Sequence, residues 1–220
     1  MTVIAIDGPS GSGKSTVAQA VASRLSLAYL DTGAMYRAAA LWVECNGALD
    51  QPAAMPDLVR AMPLEISLIP AAVRVLLDGQ DVTETIRSSR VSAIVSRVST
   101  VIPVRHVLVA AQQALVAANR EPGIVVEGRD ITTVIAPDAD VRVLITASAA
   151  VRLRRRALDQ LGQADAAALE ATSDEVLRRD RDDATVAQFL QAPLGVTLID
   201  SSEQTIEQTV AAVLALLPRA

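Results

Sequence analysis

One stretch near the start of the chain carries chemistry by residue type and spacing. Val3-Ile4-Ala5-Ile6-Asp7 is a β-branched apolar run that leads into Gly8-Pro9-Ser10-Gly11-Ser12-Gly13-Lys14-Ser15-Thr16. The spacing fits G-x-x-x-x-G-K-[ST], a loop that cradles phosphates. Glycines at 8, 11 and 13 let backbone N–H groups turn inward where a side chain would block a phosphate. A helix starting near Lys14 adds its unpaired N–H groups and the positive end of its dipole. Lys14 suits the β and γ phosphates of a nucleotide, and the Ser15 hydroxyl is the candidate ligand for Mg²⁺. Chance glycines between a strand and a helix are the ordinary alternative. The required context on both sides of the loop argues against it.

Two more groups stand at expected strand ends. Ala28-Tyr29-Leu30 delivers Asp31-Thr32-Gly33-Ala34-Met35-Tyr36-Arg37, and Ile124-Val125-Val126-Glu127 delivers Gly128-Arg129-Asp130. Asp31 or Thr32 can simply cap the next helix, and Arg37 can be a solvated charge. Two opposite charges directly off a buried strand are more suggestive. Arginines also cluster. Arg152, Arg154, Arg155 and Arg156 fall close together, and Arg178, Arg179 and Arg181 alternate with Asp180, Asp182 and Asp183. Mutual ion pairs on a helix surface would explain the second group. A cationic lid over a polyphosphate explains both, because guanidinium groups bind phosphate oxygens bidentately. Residues 157–172, rich in Ala and polar groups, read as a mobile lid that excludes water when closed.

The elements that must position these groups follow from periodicity. Strands are expected at 3–7, 28–30, 124–127, 141–145 and 196–199. Helices are expected at about 14–25, 34–45, 88–98, 103–119, 149–161, 172–184 and 205–217, with a short helical stretch at 57–61. Residues 64–68 and 73–77 alternate, and Asp78-Gly79 signals a turn, so a small antiparallel unit interrupts the alternating pattern. The main strands are near-continuous apolar runs, as in a parallel sheet covered on both faces. Sites in such sheets open at the carboxyl ends of the strands.

The chain has 220 residues, 51% hydrophobic, 2% aromatic, with net charge −5 and a single cysteine, Cys45. That length can bury a sizeable core. Few aromatics and no basic field argue against nucleic acid or an anionic membrane as partner. One cysteine excludes an internal disulfide and a Cys-based metal cage, and fits a reducing compartment. No leader pattern or membrane-length apolar run is present, so a cytoplasmic protein is expected. The absence of a D-x-x-G switch with an N-K-x-D base reader disfavours a regulatory GTPase. A small-molecule kinase fits best. Another P-loop kinase, or a nucleotide-binding regulator without transfer activity, stays open.

In combination, Gly8–Thr16, Leu30–Arg37, Val126–Asp130, Ala136-Pro137-Asp138-Ala139 and Arg178-Arg179-Asp180 resemble the bacterial cytidylate kinase family along nearly the whole chain. The resemblance implies an α/β P-loop kinase with a five-stranded parallel sheet flanked by helices. It implies a core of about 1–56 and 97–220, a small inserted antiparallel β/α subdomain at about 57–96, and a short lid at about 150–165. It implies that ATP donates a phosphoryl group, with Mg²⁺, to CMP and dCMP, and that the enzyme is a monomer. Residues 8–16 would hold ATP. Asp31, Thr32, Ser96, Arg105 and Asp130 match positions around cytosine and its pocket. Arg37 and Arg129 match positions that hold the CMP phosphate, and Arg179 and Asp183 match positions near the ribose. Arg152 and Arg156 match lid arginines over the transferring phosphates. Lys14, Arg129, Arg152, Arg156 and Arg179 are the expected catalytic charges. Two departures stand out. Thr132 replaces a glycine two residues beyond Asp130, which is expected to shift the strand-end loop. An arginine two residues removed from Asp183 is missing: Ala184-Thr185-Val186 follows, and the register reads as a deletion.

Overall fold

The computed structural model describes residues 2–218, apart from the side chains at positions 174 and 175. The first strand, β1 (Thr2–Asp7), is buried at every position after Thr2. It sits at the centre of a five-stranded sheet, between β6 (Gly123–Gly128) and β7 (Val141–Thr146). The outer strands are β2 (Ala28–Asp31) and β8 (Thr197–Asp200), giving the order β2-β6-β1-β7-β8. Every neighbouring pair is parallel. Alternation along β1 divides the core: Ile4 and Ile6 face one side with Val125, Val143 and Ile145, while Val3 and Ala5 face the other with Leu30 and Val126.

Helix α1 (Lys14–Leu25) covers the first face with Val17, Ala18, Val21 and Ala22, beside Val210 and Val213 of α8 (Ile206–Leu214). Helix α2 (Thr32–Cys45) starts directly from β2, because the Asp31 carboxylate accepts the Ala34 N–H at 2.9 Å and caps it. The expected antiparallel unit forms as β3 (Leu64–Ile66), β4 (Val75–Leu77) and β5 (Gln80–Asp81). Asp78 and Gly79, at φ 51° and 73°, make the tight turn between β4 and β5. This unit is not separate from the rest. Val75, Leu77, Val82 and Ile86 share a core with Ala38, Ala39 and Val43 of α2 and with Val91 and Val95 of α4 (Ser89–Ser99). Val104 and Leu108 of α5 (Ile102–Ala118) complete it, and α3 (Met55–Arg60) adds Met55 and Val59.

The segment expected to form a lid is more helical than its composition suggested. Most of residues 157–172 are helical, in α6 (Ala149–Leu161) and α7 (Ala166–Ala184), and only a short connection after Gly162 is not. Asp165 caps α7 by accepting the Ala168 N–H at 2.9 Å, so the helix starts earlier than the expected 172. The alanine run behind that cap is the best helix former available. The last helix ends at Leu214, not Leu217. Among the described residues no single helix is long and apolar enough to cross a membrane.

Candidate active site

The carboxyl ends of β1, β2 and β6 open into one cleft of about 690 Å³. It is lined by the phosphate loop from Ser10 to Thr16, by Asp31, Thr32 and Arg37, by Gly128-Arg129-Asp130, and by Arg179 and Asp183 of α7. In a chain of net charge −5 the lining carries eight basic and six acidic side chains, so the anion site is built locally.

At the loop, Gly11 and Gly13 adopt φ 74° and 85°, conformations that favour glycine. At two of the glycines the protein's own backbone also leaves no room for a side chain: a Cβ on Gly8 would run into the Ile145 carbonyl, and one on Gly11 would come within 2.5 Å of the Arg152 carbonyl oxygen. Gly8 and Pro9 do not line the cleft. The Gly8 N–H donates to the Gly128 carbonyl at 3.2 Å, and the Gly8 carbonyl accepts from Arg129 Nη1 at 2.9 Å.

Lys14 and Ser15 both meet Glu127, which sequence reasoning quoted but did not assign. Ser15 Oγ donates to Glu127 Oε1 at 2.7 Å, Tyr29 Oη donates to the same oxygen at 3.2 Å, and Lys14 Nζ lies 3.8 Å from Oε2. Burial pushes the Glu127 pKa up, as does nearby Asp31, against Lys14 and the Ser15 hydroxyl. Burial likewise pushes the Lys14 pKa down, opposed by Glu127 and reinforced by Arg129 and Arg179. Burial brings Arg179 down to about 10, against Asp183 and helped by Arg129, Arg37 and Arg156. Lys14, Arg37, Arg129 and Arg179 therefore form one cluster of cations, in which Arg129 and Arg179 press on Lys14, and Arg37 and Arg129 press on Arg179. The Nε groups of Arg37 and Arg179 are buried without a hydrogen-bond partner. Buried donors of this kind suit an anion.

Arg37 Nη2 also donates to Asp31 Oδ2 at 2.8 Å. Burial works to raise the Asp31 pKa, but Arg37 and the Ala34 N–H outweigh it and hold the carboxyl below its usual range. Arg129 lies 4.3 Å above the Phe189 ring and pairs with Asp180 at 2.8 Å and Asp183 at 3.2 Å. At the far end Arg105 and Asp130 form a buried ion pair beside Tyr36, with Arg105 5.5 Å from the ring centre. Burial raises the Asp130 pKa and Arg105 opposes it. Thr32 lines the cleft, but its hydroxyl donates to the Glu127 carbonyl at 2.8 Å.

The sequence matches the cytidylate kinase family over residues 4–219. The chain belongs to the cytidylate kinase family. It is 47% identical over 98% of its length to the cytidylate kinase of Cutibacterium acnes, covering 96% of that protein. It is 46% identical over 94% of its length to the cytidylate kinase of Rhodococcus jostii, covering 91% of it. An uncharacterized protein from Eubacterium ventriosum shares the fold at TM-score 0.51 and 12% identity, over 98% of this chain and 97% of that one.

Besides Gly8 and Pro9, two residues carried over from the cytidylate kinase pattern lie outside the cleft wall. Arg152 does not line the cleft. It is buried behind the phosphate loop, where Nη1 donates to the Ser10 carbonyl at 2.9 Å and pairs with Asp180. Arg155, on the same face of α6, lines the cleft instead, reaching Ser12 O at 3.3 Å and Ser201 O at 2.8 Å. Spacing put both on one helical face but could not say which reaches past the loop. Arg156 does line the cleft and contacts Ser92 Oγ at 3.4 Å, joining the lid to α4. Ser96 is the other. Val95 and Ser99 form the wall at that point, and Ser96 Oγ is buried with no hydrogen-bond partner. The second arginine cluster divides: Arg179 lines the cleft, Arg178 pairs with Asp182 at 3.4 Å, and exposed Arg181 bonds its own helix at the Leu177 carbonyl.

Proposed function

We propose that this chain transfers the γ-phosphoryl group of ATP to CMP, and also to dCMP, releasing ADP and the nucleoside diphosphate. The observation that carries the reading is the cation cluster, Lys14, Arg37, Arg129 and Arg179, between the phosphate loop and the Arg105–Asp130 pair. An ionised CMP phosphate oxygen attacks the γ phosphorus, the bond from that phosphorus to the β–γ bridging oxygen breaks, and ADP leaves with the electron pair. The nucleophile is already ionised, so no general base is required. The obstacle is bringing two anions together, and converging cations remove it.

Residues 10–16 of the loop hold the ATP phosphates in this reading. Arg37 and Arg129 anchor the CMP phosphate. Arg179 and Asp183 stand at the ribose, and Arg155 and Arg156 approach the transferring group. Asp130 accepts from the cytosine N4 amine, where uracil would present an acceptor. The hydroxyl of Ser15 and the carboxylate of Glu127 are hard oxygen donors, as Mg²⁺ prefers. Ser15, supported by Glu127, would hold that ion against the nucleotide, where it neutralises charge on the phosphates. Action as a monomer in the cytoplasm belongs to the same reading.

Lys14→Ala tests the reading. CDP formation should fall by about a thousandfold or more, while the melting temperature stays near that of the parent. An unchanged rate with CMP would mean that the loop is not the catalytic phosphate site.

A further inference from the structure

Strand β1 ends on Asp7 and β6 ends on Gly128, and these residues pair in the sheet register. Beyond them the chain diverges toward the two ends of the cleft: Gly8 opens the phosphate loop, and Arg129-Asp130 opens the base end. Asp7 holds this fork together. Its Oδ1 accepts the Ile131 N–H at 2.8 Å, and its Oδ2 accepts the Thr132 N–H at 2.9 Å and the Thr132 hydroxyl at 2.6 Å. Asp7 and Thr132 are each 1% exposed. A carboxylate without water depends on its protein donors. Burial pushes the Asp7 pKa up, and the Thr132 and Ile131 donors oppose it.

The donors lie immediately after Asp130, in a single π-helical turn at Ile131–Ile135. The Val134 and Ile135 N–H groups bond back to the Asp130 carbonyl at 2.9 and 3.2 Å. Asp130 is thus fixed through its own carbonyl and through the two residues that follow it. Thr132 is suited to this place. Its β-branched side chain has few rotamers, and here it delivers a hydroxyl that a glycine could not. The residue expected to disturb the loop is one that ties it down.

We propose that Asp7 and Thr132 are positioning residues for base selection, fixing Asp130 at a set distance from the phosphate loop. The proposal rests on the reading of Asp130 as the cytosine contact. Thr132→Val keeps the shape and removes the donor. KM for CMP should rise about fivefold, and the CMP-over-UMP ratio of kcat/KM should fall by a similar factor, with KM for ATP unchanged. Thr132→Ser retains the donor and should keep the parent's ratio. Thr132→Ala gives the same readout as valine should the valine protein not fold. Asp130→Asn is measured alongside. If Asp130→Asn lowers the ratio and loss of the Thr132 hydroxyl does not, the clamp has no part in selection and the proposal is overturned, even where the melting temperature falls. If Asp130→Asn leaves the ratio unchanged, the assignment of Asp130 fails first and the proposal falls with it.

Discussion

Burial holds the Lys14 pKa down, and repulsion from Arg129 and Arg179 adds to that lowering. A phosphate relieves that repulsion, so its binding raises the Lys14 pKa from its lowered value. Between the free and bound pKa values the complex holds more protons than the free protein. ATP binding should therefore take up protons as pH rises through the lowered Lys14 pKa toward the ordinary lysine range, and affinity should fall as pH climbs through that window. Calorimetry in buffers of different ionisation enthalpy checks this, and Lys14→Met should abolish the uptake. Glu127→Gln leaves Ser15 and Lys14 without their carboxylate. It should lower kcat about ten- to a hundredfold, as loss of a group supporting a metal ligand does. Glu127 was legible in outline, since a carboxylate ending an apolar strand needs a partner, but its partners lie on other elements. The missing arginine after Asp183 can now be tested by substitution. The Val186 and Ala187 N–H groups both bond the Asp183 carbonyl, at 3.1 and 3.0 Å, and Ala187 lines the cleft. Inserting a residue before Val186 would break that turn, whereas Val186→Arg keeps it. If a phosphate contact is what the chain lacks, Val186→Arg should lower KM for CMP on the order of tenfold. No change in KM would show that the existing arginines already suffice.

The elements act on the site through Asp180. From α7 its carboxylate accepts the Ser10 N–H at 3.1 Å, pairs with Arg129 at 2.8 Å, and pairs with Arg152 of α6. Loop, lid helix and strand-end turn thus meet at one buried group. Arg152→Met should destabilise the protein by about 2–3 kcal/mol, less than a fully orphaned buried charge because Asp180 keeps Arg129. It should raise KM for ATP several-fold while changing KM for CMP little. Equal effects on both substrates would contradict a role confined to the phosphate loop. Strand and helix order was readable from apolar periodicity, since the strands are continuous apolar runs. Which arginine of α6 enters the cleft was not, because that depends on how close the helix approaches Gly11. That Ser96 is buried beside the cleft wall was not readable for a similar reason, since burial beside a cleft and exposure to it differ by a fraction of a helical turn.

At the scale of the whole molecule, the parallel sheet fixes one end of the cleft and the inserted unit fixes the other. The β3–β5 unit shares its core with α2 and α4. Helix α6 reaches α4 through Arg156 and Ser92, so the two sides of the cleft are in contact. The most direct test is turnover with a panel of nucleoside monophosphates at saturating ATP, following ADP and the diphosphate product together. CMP should give ADP and CDP in equal amounts, and kcat/KM for UMP, AMP and GMP should each be lower by about a hundredfold or more. Equal turnover of UMP and CMP, or ADP released without CDP, would contradict the account.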